Sequence, residues 1–138
     1  MKKQQWQVPV FLTLLLAAAS AVGETNRGDL NVNIPFAFVV GNQTLPPGHY
    51  VVTRFNDSTL RFYNSQRQGA FVPTHSVEGK APESAGKMIF HRYGNTYFLF
   101  EVWSPAKGTG RQVFTSWAEE ELARQGTEKQ VAVLRIAQ

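Results

Sequence analysis

Cysteine is absent from this chain of 138 residues, and its absence excludes several kinds of chemistry. Without a thiol there is no cysteine nucleophile, no zinc–thiolate site, no iron–sulfur cluster and no cysteine that could carry a lipid. A domain of this size buries roughly two-thirds of its chain surface on folding, so it can form a sufficient core without disulfides. The sequence therefore predicts a fold without covalent cross-links.

Blocks of like charge are also missing. The 14 basic and 10 acidic residues give a formal net charge of +4 at pH 7. Lys2 and Lys3 belong to an N-terminal segment that we expect to be removed, and without them 12 basic residues face 10 acidic ones, a net charge of +2. The remaining basic residues are scattered through turns and strand ends, so we expect no nucleic-acid partner.

The N-terminal apolar run is too short for a membrane-spanning helix, which needs about 20 apolar residues. It covers residues 8–19 and follows Lys2 and Lys3. The small residues Ala19 and Ala21 stand at its C-terminal end. A basic segment, a short apolar segment and small residues, in this order, are typical of a secretory signal peptide. An uncleaved N-terminal anchor is the alternative interpretation.

We therefore predict a signal peptide over residues 1–21, with cleavage after Ala21 or, as a weaker site, after Gly23. A flexible tail over residues 22–28 is predicted to follow it, and a single β-rich domain to fill residues 29–138. The mature protein is then expected in the periplasm or outside the cell, without stable insertion into a membrane.

Beyond the signal, apolar and polar residues alternate with a period of two between turn residues, which indicates β-strands. The predicted strands cover residues 30–40, 49–55, 59–64, 70–77, 87–93, 96–103 and 130–136. Seven short strands at hairpin spacing favour a mainly β fold, an antiparallel sandwich or a small barrel. Pro35 and Pro73 cannot donate to a ladder, so we predict that their strands lie at sheet edges or contain bulges.

The period changes near the C-terminus, in the segment SWAEEELARQG. Ser116 and Glu119 have the spacing of a capping box, and Gly126 suits the left-handed residue that ends a helix. Glutamates in the first turn are favourable near the positive end of the helix dipole. We predict one short helix over residues 116–126.

The segment MIFHRYGNTYFLFEVW is predicted to form a hairpin around Gly94-Asn95, a two-residue turn signal. One face then pairs Tyr93 with Thr96, His91 with Phe98, Ile89 with Phe100 and Lys87 with Val102. The other face pairs Arg92 with Tyr97, Phe90 with Leu99 and Met88 with Glu101. Because both faces are apolar in the middle, we expect an opposing sheet on one and the helix, a ligand or a partner on the other.

We expect the helix to cover the face that carries Phe98 and Phe100, with Trp117 or Leu122 against these two rings. So short a helix needs packing to be stable. The alternative is a ligand pocket ringed by aromatic and charged side chains. Its candidate residues are His91, Arg92, Tyr93, Tyr97, Glu101 and Trp103. In either case Arg92 can stack on Tyr97 as a cation–π pair.

Motifs of catalysis and of metal binding are absent from the sequence. There is no H-E-x-x-H, no G-x-S-x-G and no phosphate loop, and His49, His75 and His91 have no ligand spacing. We predict no catalytic residue, no metal and no cofactor. The enzymatic alternative is a small envelope hydrolase that pairs His91 or His75 with Glu101.

Three segments of the chain carry a resemblance to known sequences. They are VNIPFAFVVGNQTLPPGHYVVTR, FHRYGNTYFLFEVW and GRQVFTSWAEEELAR. Together they resemble a group of small exported β-rich proteins of acidobacteria, over nearly the whole mature chain. The resemblance implies export and one β-rich domain, and it implies no activity and no site residue.

These observations favour an exported, non-enzymatic β-domain of the cell envelope. Its expected partner is a small apolar ligand or another envelope protein, because the doubly apolar hairpin needs a cover and no catalytic arrangement is visible.

Overall fold

The computed structural model describes residues 29–79, 86–104 and 109–136, which contain ten strands and one short helix. The strands are β1 (Leu30–Ile34), β2 (Phe38–Val40), β3 (Gln43–Leu45), β4 (Gly48–Asn56), β5 (Thr59–Asn64), β6 (Gly69–Glu78), β7 (Gly86–Tyr93), β8 (Thr96–Trp103), β9 (Thr109–Val113) and β10 (Gln130–Ile136). The helix α1 (Trp117–Arg124) lies between β9 and β10.

All ten strands join one mixed sheet through β6 and β8. The strands β1, β4, β5 and the first half of β6 pair antiparallel in that order. The second half of β6 pairs with β9, β9 with β8, β8 with β7, and β7 with β10. The β2–β3 hairpin joins β8 through a parallel pairing of β2. In the described part of the chain β1 and β10 approach each other without pairing, so the sheet stays open.

The two halves of the sheet face each other across one apolar core. Phe38 of β2 lies at its centre, with ring centroids 5.3 Å from Tyr50, 6.3 Å from Phe62 and 6.0 Å from Phe90. The prediction of a mainly β fold with one short helix is confirmed. The strands number ten rather than about seven, and one of their pairings is parallel.

The first predicted strand is in fact two strands. Pro35 separates β1, which pairs with β4, from β2, which pairs with β8 in the other half of the sheet. Alternation continues through the proline, so the apolar side chains still face the core, but the missing N–H breaks the ladder. The prediction of a single strand over residues 30–40 is therefore wrong.

Two further strands lie in segments that the sequence predicts as loops. Residues 43–45 form β3 and residues 109–113 form β9, and both are short and mostly polar. Pro73 lies inside β6, and among the described strands only β5 pairs with β6 at this position, so the proline stands at a local edge of the sheet, as predicted. After Pro73 the strand changes its partner from β5 to β9, so the missing N–H falls where one ladder ends.

The helix begins and ends as predicted. Ser116 Oγ accepts from the backbone N–H of Glu119 at 3.1 Å. At the other end Gly126 has φ +83°, and its N–H donates to the carbonyl of Ala123 at 3.0 Å. The side chain of Glu119 does not complete the capping box, however, because it extends onto the sheet.

The predicted signal peptide over residues 1–21 and the tail over residues 22–28 lie outside the described residues. Within the described ranges no helix has the length and apolarity that crossing a membrane requires.

Arg111 of β9 ties the β4–β5 turn to the rest of the sheet. Its guanidinium donates to Thr74 Oγ1 at 3.0 Å, to Ser76 Oγ at 2.7 Å and to the backbone oxygen of Asp57 at 2.7 Å. Burial, and then repulsion from Arg54, lowers the pKa of Arg111, while Asp57 raises it. Three bonds from one planar group fix the turn in a way that a lysine would not reproduce.

Arg111→Met is expected to lower the free energy of unfolding by about 1.5–3 kcal/mol, the usual contribution of hydrogen bonds from a charged group. Arg111→Lys keeps the charge without the fork, so it should recover only part of the loss. Urea denaturation of the three proteins measures both effects. Identical midpoints would show that the turn is held by other contacts.

Candidate functional site

The β7–β8 hairpin forms around Gly94-Asn95 as predicted, but its register changes at a bulge. Gly94 has φ +63°, and the predicted pairs hold from the turn to Phe90 opposite Leu99. Beyond that pair the register shifts by one residue, so Ile89 lies opposite Glu101. The predicted pairs Ile89–Phe100, Met88–Glu101 and Lys87–Val102 are therefore wrong. The bulge lets both Leu99 and Val102 enter the core.

The six candidate site residues do not form one ring. Tyr97 packs on the core side, where its ring stacks on Phe36 at 3.8 Å and Arg92 lies 5.6 Å above it. The Arg92–Tyr97 cation–π pair is thus present as predicted. The other four residues lie on the opposite face of the hairpin, in the two groups described below.

Arg92 serves the structure of the hairpin. Its Nε donates to the carbonyl of Gly94 at 2.7 Å, and its Nη1 donates to Gln130 Oε1 at 3.4 Å. The side chain therefore ties the hairpin turn to the start of β10. Two of its three nitrogens thus donate within the protein.

His91, Tyr93 and Glu119 form a buried polar cluster between the hairpin and α1. Glu119 Oε2 lies 2.7 Å from His91 Nδ1 and accepts from the Tyr93 hydroxyl at 3.0 Å. Glu119 is only 7% exposed and His91 only 8%. Through Glu119 the helix contacts this face of the hairpin. Of the two expected anchors, Trp117 is 69% exposed and Leu122 is partly buried, and the contact with His91 and Tyr93 is made by a carboxylate.

Tyr93 has a raised pKa in this cluster. Burial first, and then the hydrogen bond and the charge of Glu119, raise its pKa from 10.0 to about 12. All three causes disfavour the phenolate, because an anion would lose water contacts and face a carboxylate.

This shift predicts a loss of stability at alkaline pH. Below pH 10 folded and unfolded chains both keep the Tyr93 proton, so the contribution is fully present. Between pH 10 and about 12 the unfolded chain releases a proton that the folded chain retains, so the free energy of unfolding falls with pH, by about 2–3 kcal/mol in total. Urea denaturation at pH 9 and pH 11.5 should show a smaller fall for Tyr93→Phe than for the wild type. Equal falls would contradict the assignment.

Glu101 and Trp103 form the second group on this face. Trp103 Nε1 donates to Glu101 Oε1 at 2.8 Å, and Lys87 Nζ lies 5.8 Å from the indole ring. The indole covers Gly110 of β9, where a Cβ would lie 2.6 Å from the ring. This explains why glycine occupies that position. Trp103 of β8 thus packs against β9 at Gly110.

The hydrolase alternative needs a histidine paired with Glu101, and the described residues do not form that pair. The carboxylate of Glu101 is bonded by Trp103, and His75 Nε2 lies 3.1 Å from Gln112 Oε1. The acid that does meet His91 is Glu119, and both are buried. Nor do three His, Asp or Glu residues gather anywhere in the described ranges to hold a metal.

A surface cleft lies elsewhere, on the outer side of β5 and β6. We call it the β5–β6 cleft and define it by Gln43, Arg61, Tyr63, Arg67 and Phe71. Its volume is about 510 Å³, within the range of small-ligand sites. Phe62, Asn64, Gly69 and Ala70 complete its lining.

Strand alternation positions the two walls of the cleft. Leu60 and Phe62 of β5 enter the core, so Arg61 and Tyr63 face outward. In β6 the buried neighbours are small or branched, and Phe71 faces outward directly opposite Arg61. Sheet pairing therefore places Arg61 and Phe71 side by side on the outer surface.

The β5–β6 turn adds Arg67 to the cleft in an unusual backbone conformation. Arg67 is the one non-glycine residue of the described chain with positive φ, at 65°. The turn is fixed by Asn64, whose Oδ1 accepts from the N–H groups of Gln66 at 2.9 Å and Gln68 at 3.0 Å. A left-handed residue with a side chain costs about 1–2 kcal/mol, and glycine would avoid this cost. The hydrogen bonds of the turn hold Arg67 in this conformation, and its side chain lines the cleft.

The charges of the cleft are unbalanced. The Arg61 guanidinium stacks on Tyr63, with its central carbon 4.3 Å from the ring centroid. Among the described residues neither Arg61 nor Arg67 has an ion-pair partner, and no acidic residue lines the cleft. The cleft is therefore a local region of positive potential.

Exposed aromatic residues extend the cleft along the sheet. Phe55 and Phe71 are each 59% exposed, and their rings meet edge to face at 4.9 Å. Farther along β6, His75 lies 5.0 Å from the exposed ring of Phe114. Large apolar rings grouped on a surface mark a site of interaction more often than single ones do.

This cleft was not among the predicted sites, although the sequence holds a signal for it. Tyr63 and Phe71 occupy outward positions of β5 and β6, each between two residues that are buried. Aromatic residues at outward positions of two neighbouring strands are the pattern that would have indicated it. The meeting with Gln43 depends on β3, which the sequence did not predict.

Similarity to known proteins does not identify the chemistry of the cleft. No protein-family model, curated protein or solved structure matches this chain.

Proposed function

We propose that this chain is an exported, non-enzymatic binding domain of the cell envelope and that its ligand binds in the β5–β6 cleft. The signal-like N-terminus and the resemblance to small exported acidobacterial proteins support the export. The observation that carries the binding site is the pair of arginines, Arg61 and Arg67, that have no acidic partner among the described residues and lie beside the exposed ring of Phe71.

The residues of the cleft favour binding over catalysis. Its lining, within the described part of the chain, has no histidine, carboxylate, serine or threonine. Acid–base and nucleophilic catalysis need such groups within hydrogen-bond reach of the substrate. The His–Glu contact that the described residues form, between His91 and Glu119, is buried, and Glu119 also bonds Tyr93, so its role is to hold the helix.

The ligand is expected on the surface rather than inside the fold. The rings of Phe38, Tyr50, Phe62 and Phe90 fill the space between the two halves of the sheet. Each of them is almost completely shielded from solvent. A small apolar ligand would have to displace these rings, whereas the cleft is open.

Thermal-shift screening with glycans, lipids and fractions of envelope extract tests this proposal. A ligand present at about 100 times its Kd adds about 2.7 kcal/mol to the stability of the protein that binds it. We expect a compound or fraction that raises the melting temperature of the wild type but not that of Phe71→Ala. Trp117→Ala removes an equally exposed aromatic ring from α1 and should respond like the wild type.

Two results would overturn the proposal. One is that no glycan, lipid or fraction stabilises the wild type. The other is a ligand that stabilises Phe71→Ala and the wild type equally, since its site would then lie away from the cleft.

A further inference from the structure

We infer that the ligand of the β5–β6 cleft is an acidic oligosaccharide, a short chain of sugars that carry carboxylates. This inference rests on the proposed function and adds the chemical class of the ligand. It follows from three properties of the cleft, which are its charge, its flat ring surface and its polar walls.

The positive charge of the cleft favours an anionic ligand. Arg61 and Arg67 bring two guanidinium groups to its rim, and no acidic residue of the described chain lines it. The cation–π contact with Tyr63 favours one position of the exposed Arg61 side chain. A guanidinium suits a carboxylate, which it can bind through two parallel hydrogen bonds.

The ring of Phe71 provides a surface for the body of the ligand. It lies directly across the β5–β6 pair from Arg61 and remains 59% exposed. A sugar ring presents a flat face of C–H groups that packs on an aromatic face, while its hydroxyls remain available to polar partners. A uronic-acid unit combines such a face with a carboxylate.

The walls of the cleft favour a sugar over a lipid. Gln43 Nε2 donates to the carbonyl of Gly69 at 3.4 Å, so its amide oxygen remains an acceptor for a hydroxyl. An acyl chain would need an apolar channel, and here Gln43, Asn64 and the two arginines interrupt the apolar surface. The exposed outer face of β6, which carries Phe71 and His75, suits an elongated ligand.

Calorimetric titration of the protein with trigalacturonate tests this inference. Each arginine–carboxylate contact is expected to account for at least a tenfold change in affinity, as hydrogen bonds between charged groups do. Arg61→Gln should therefore bind trigalacturonate at least tenfold more weakly, and binding should weaken as salt is raised. Arg124→Gln, which removes an exposed arginine from α1, should bind like the wild type.

Arg67→Gly separates binding from folding. Glycine relieves the left-handed backbone at this position, so the variant is expected to melt no lower than the wild type. If Arg67 is present for the ligand, the same variant should bind trigalacturonate at least tenfold more weakly. A variant that is stable and still binds like the wild type would overturn the inference.

Further probes distinguish this inference from the proposed function. Equal affinity for a neutral cellotriose would overturn the acidic-sugar inference. So would tighter binding of a triglutamate peptide or of phosphatidylglycerol vesicles with the same dependence on Arg61, but the binding domain would stand. Failure of trigalacturonate beside a Phe71-dependent extract ligand likewise removes only the inference. If no probe and no extract binds, both proposals fail.

Discussion

Replacing Phe38 with alanine is expected to lower the free energy of unfolding by about 3–5 kcal/mol. The ring is completely buried and contacts three other core rings, from Tyr50, Phe62 and Phe90. It also anchors β2, which has only three residues and joins β8 through two of them. Since domains of this kind are stable by about 5–15 kcal/mol, such a loss approaches unfolding.

Chemical denaturation followed by circular dichroism measures this effect. Phe55→Ala is the matched control, because it removes the same side chain from an exposed position and should change the stability by about 0.5 kcal/mol. If Phe38→Ala were as stable as Phe55→Ala, the two halves of the sheet would not share the core described above.

Replacing Glu119 with alanine is expected to cost about 3 kcal/mol or more, because it removes one acceptor from two buried groups. His91 Nδ1 and the Tyr93 hydroxyl would both lose their partner under α1. The loss is expected to appear first as opening of the helix, since this cluster holds it on the hairpin. Amide hydrogen exchange of residues 117–124 measures that opening.

Glu120 provides the control for Glu119. It lies in the same first turn of the helix and is exposed, so Glu120→Ala should leave both stability and exchange nearly unchanged. Glu119→Gln should lie between the two, because the amide keeps an acceptor of the same shape. If Glu119→Ala behaves like Glu120→Ala, the helix is peripheral, and the outer hairpin face becomes a candidate ligand surface again.

The parts of the fold that local sequence determines were predictable. Gly94-Asn95 specifies a tight turn whatever its surroundings, and Ser116 and Gly126 specify the ends of a helix through their own hydrogen bonds. The face of each strand also follows from alternation, as Ala132 and Leu134 show by being buried in β10.

Features that depend on distant partners were not predictable. The bulge opposite Ile89 and Phe90 exists because Leu99 and Val102 both fill the core, and no local pattern announces this. β3 and β9 form because neighbouring strands offer open edges, although their own residues are mostly polar.

The candidate site differs from the predicted one for the same reason. Glu119 carries the pattern of a capping residue, and its contacts with His91 and Tyr93 span 28 and 26 residues. Because that carboxylate bonds His91 and Tyr93, these candidates for a ligand pocket have a structural role instead. Arg61 and Arg67, which have no acidic partner among the described residues, then become the strongest indication of a ligand.

The most direct test of this account is an NMR titration of the ¹⁵N-labelled protein with trigalacturonate. We predict saturable shifts in the amides of residues 61–71 and of Gln43, together with the Arg61 Nε–H, and none in residues 117–124. Shifts centred on the helix and the outer face of the hairpin, or no shift at any concentration with this ligand or with envelope fractions, would contradict a binding domain that works through the β5–β6 cleft.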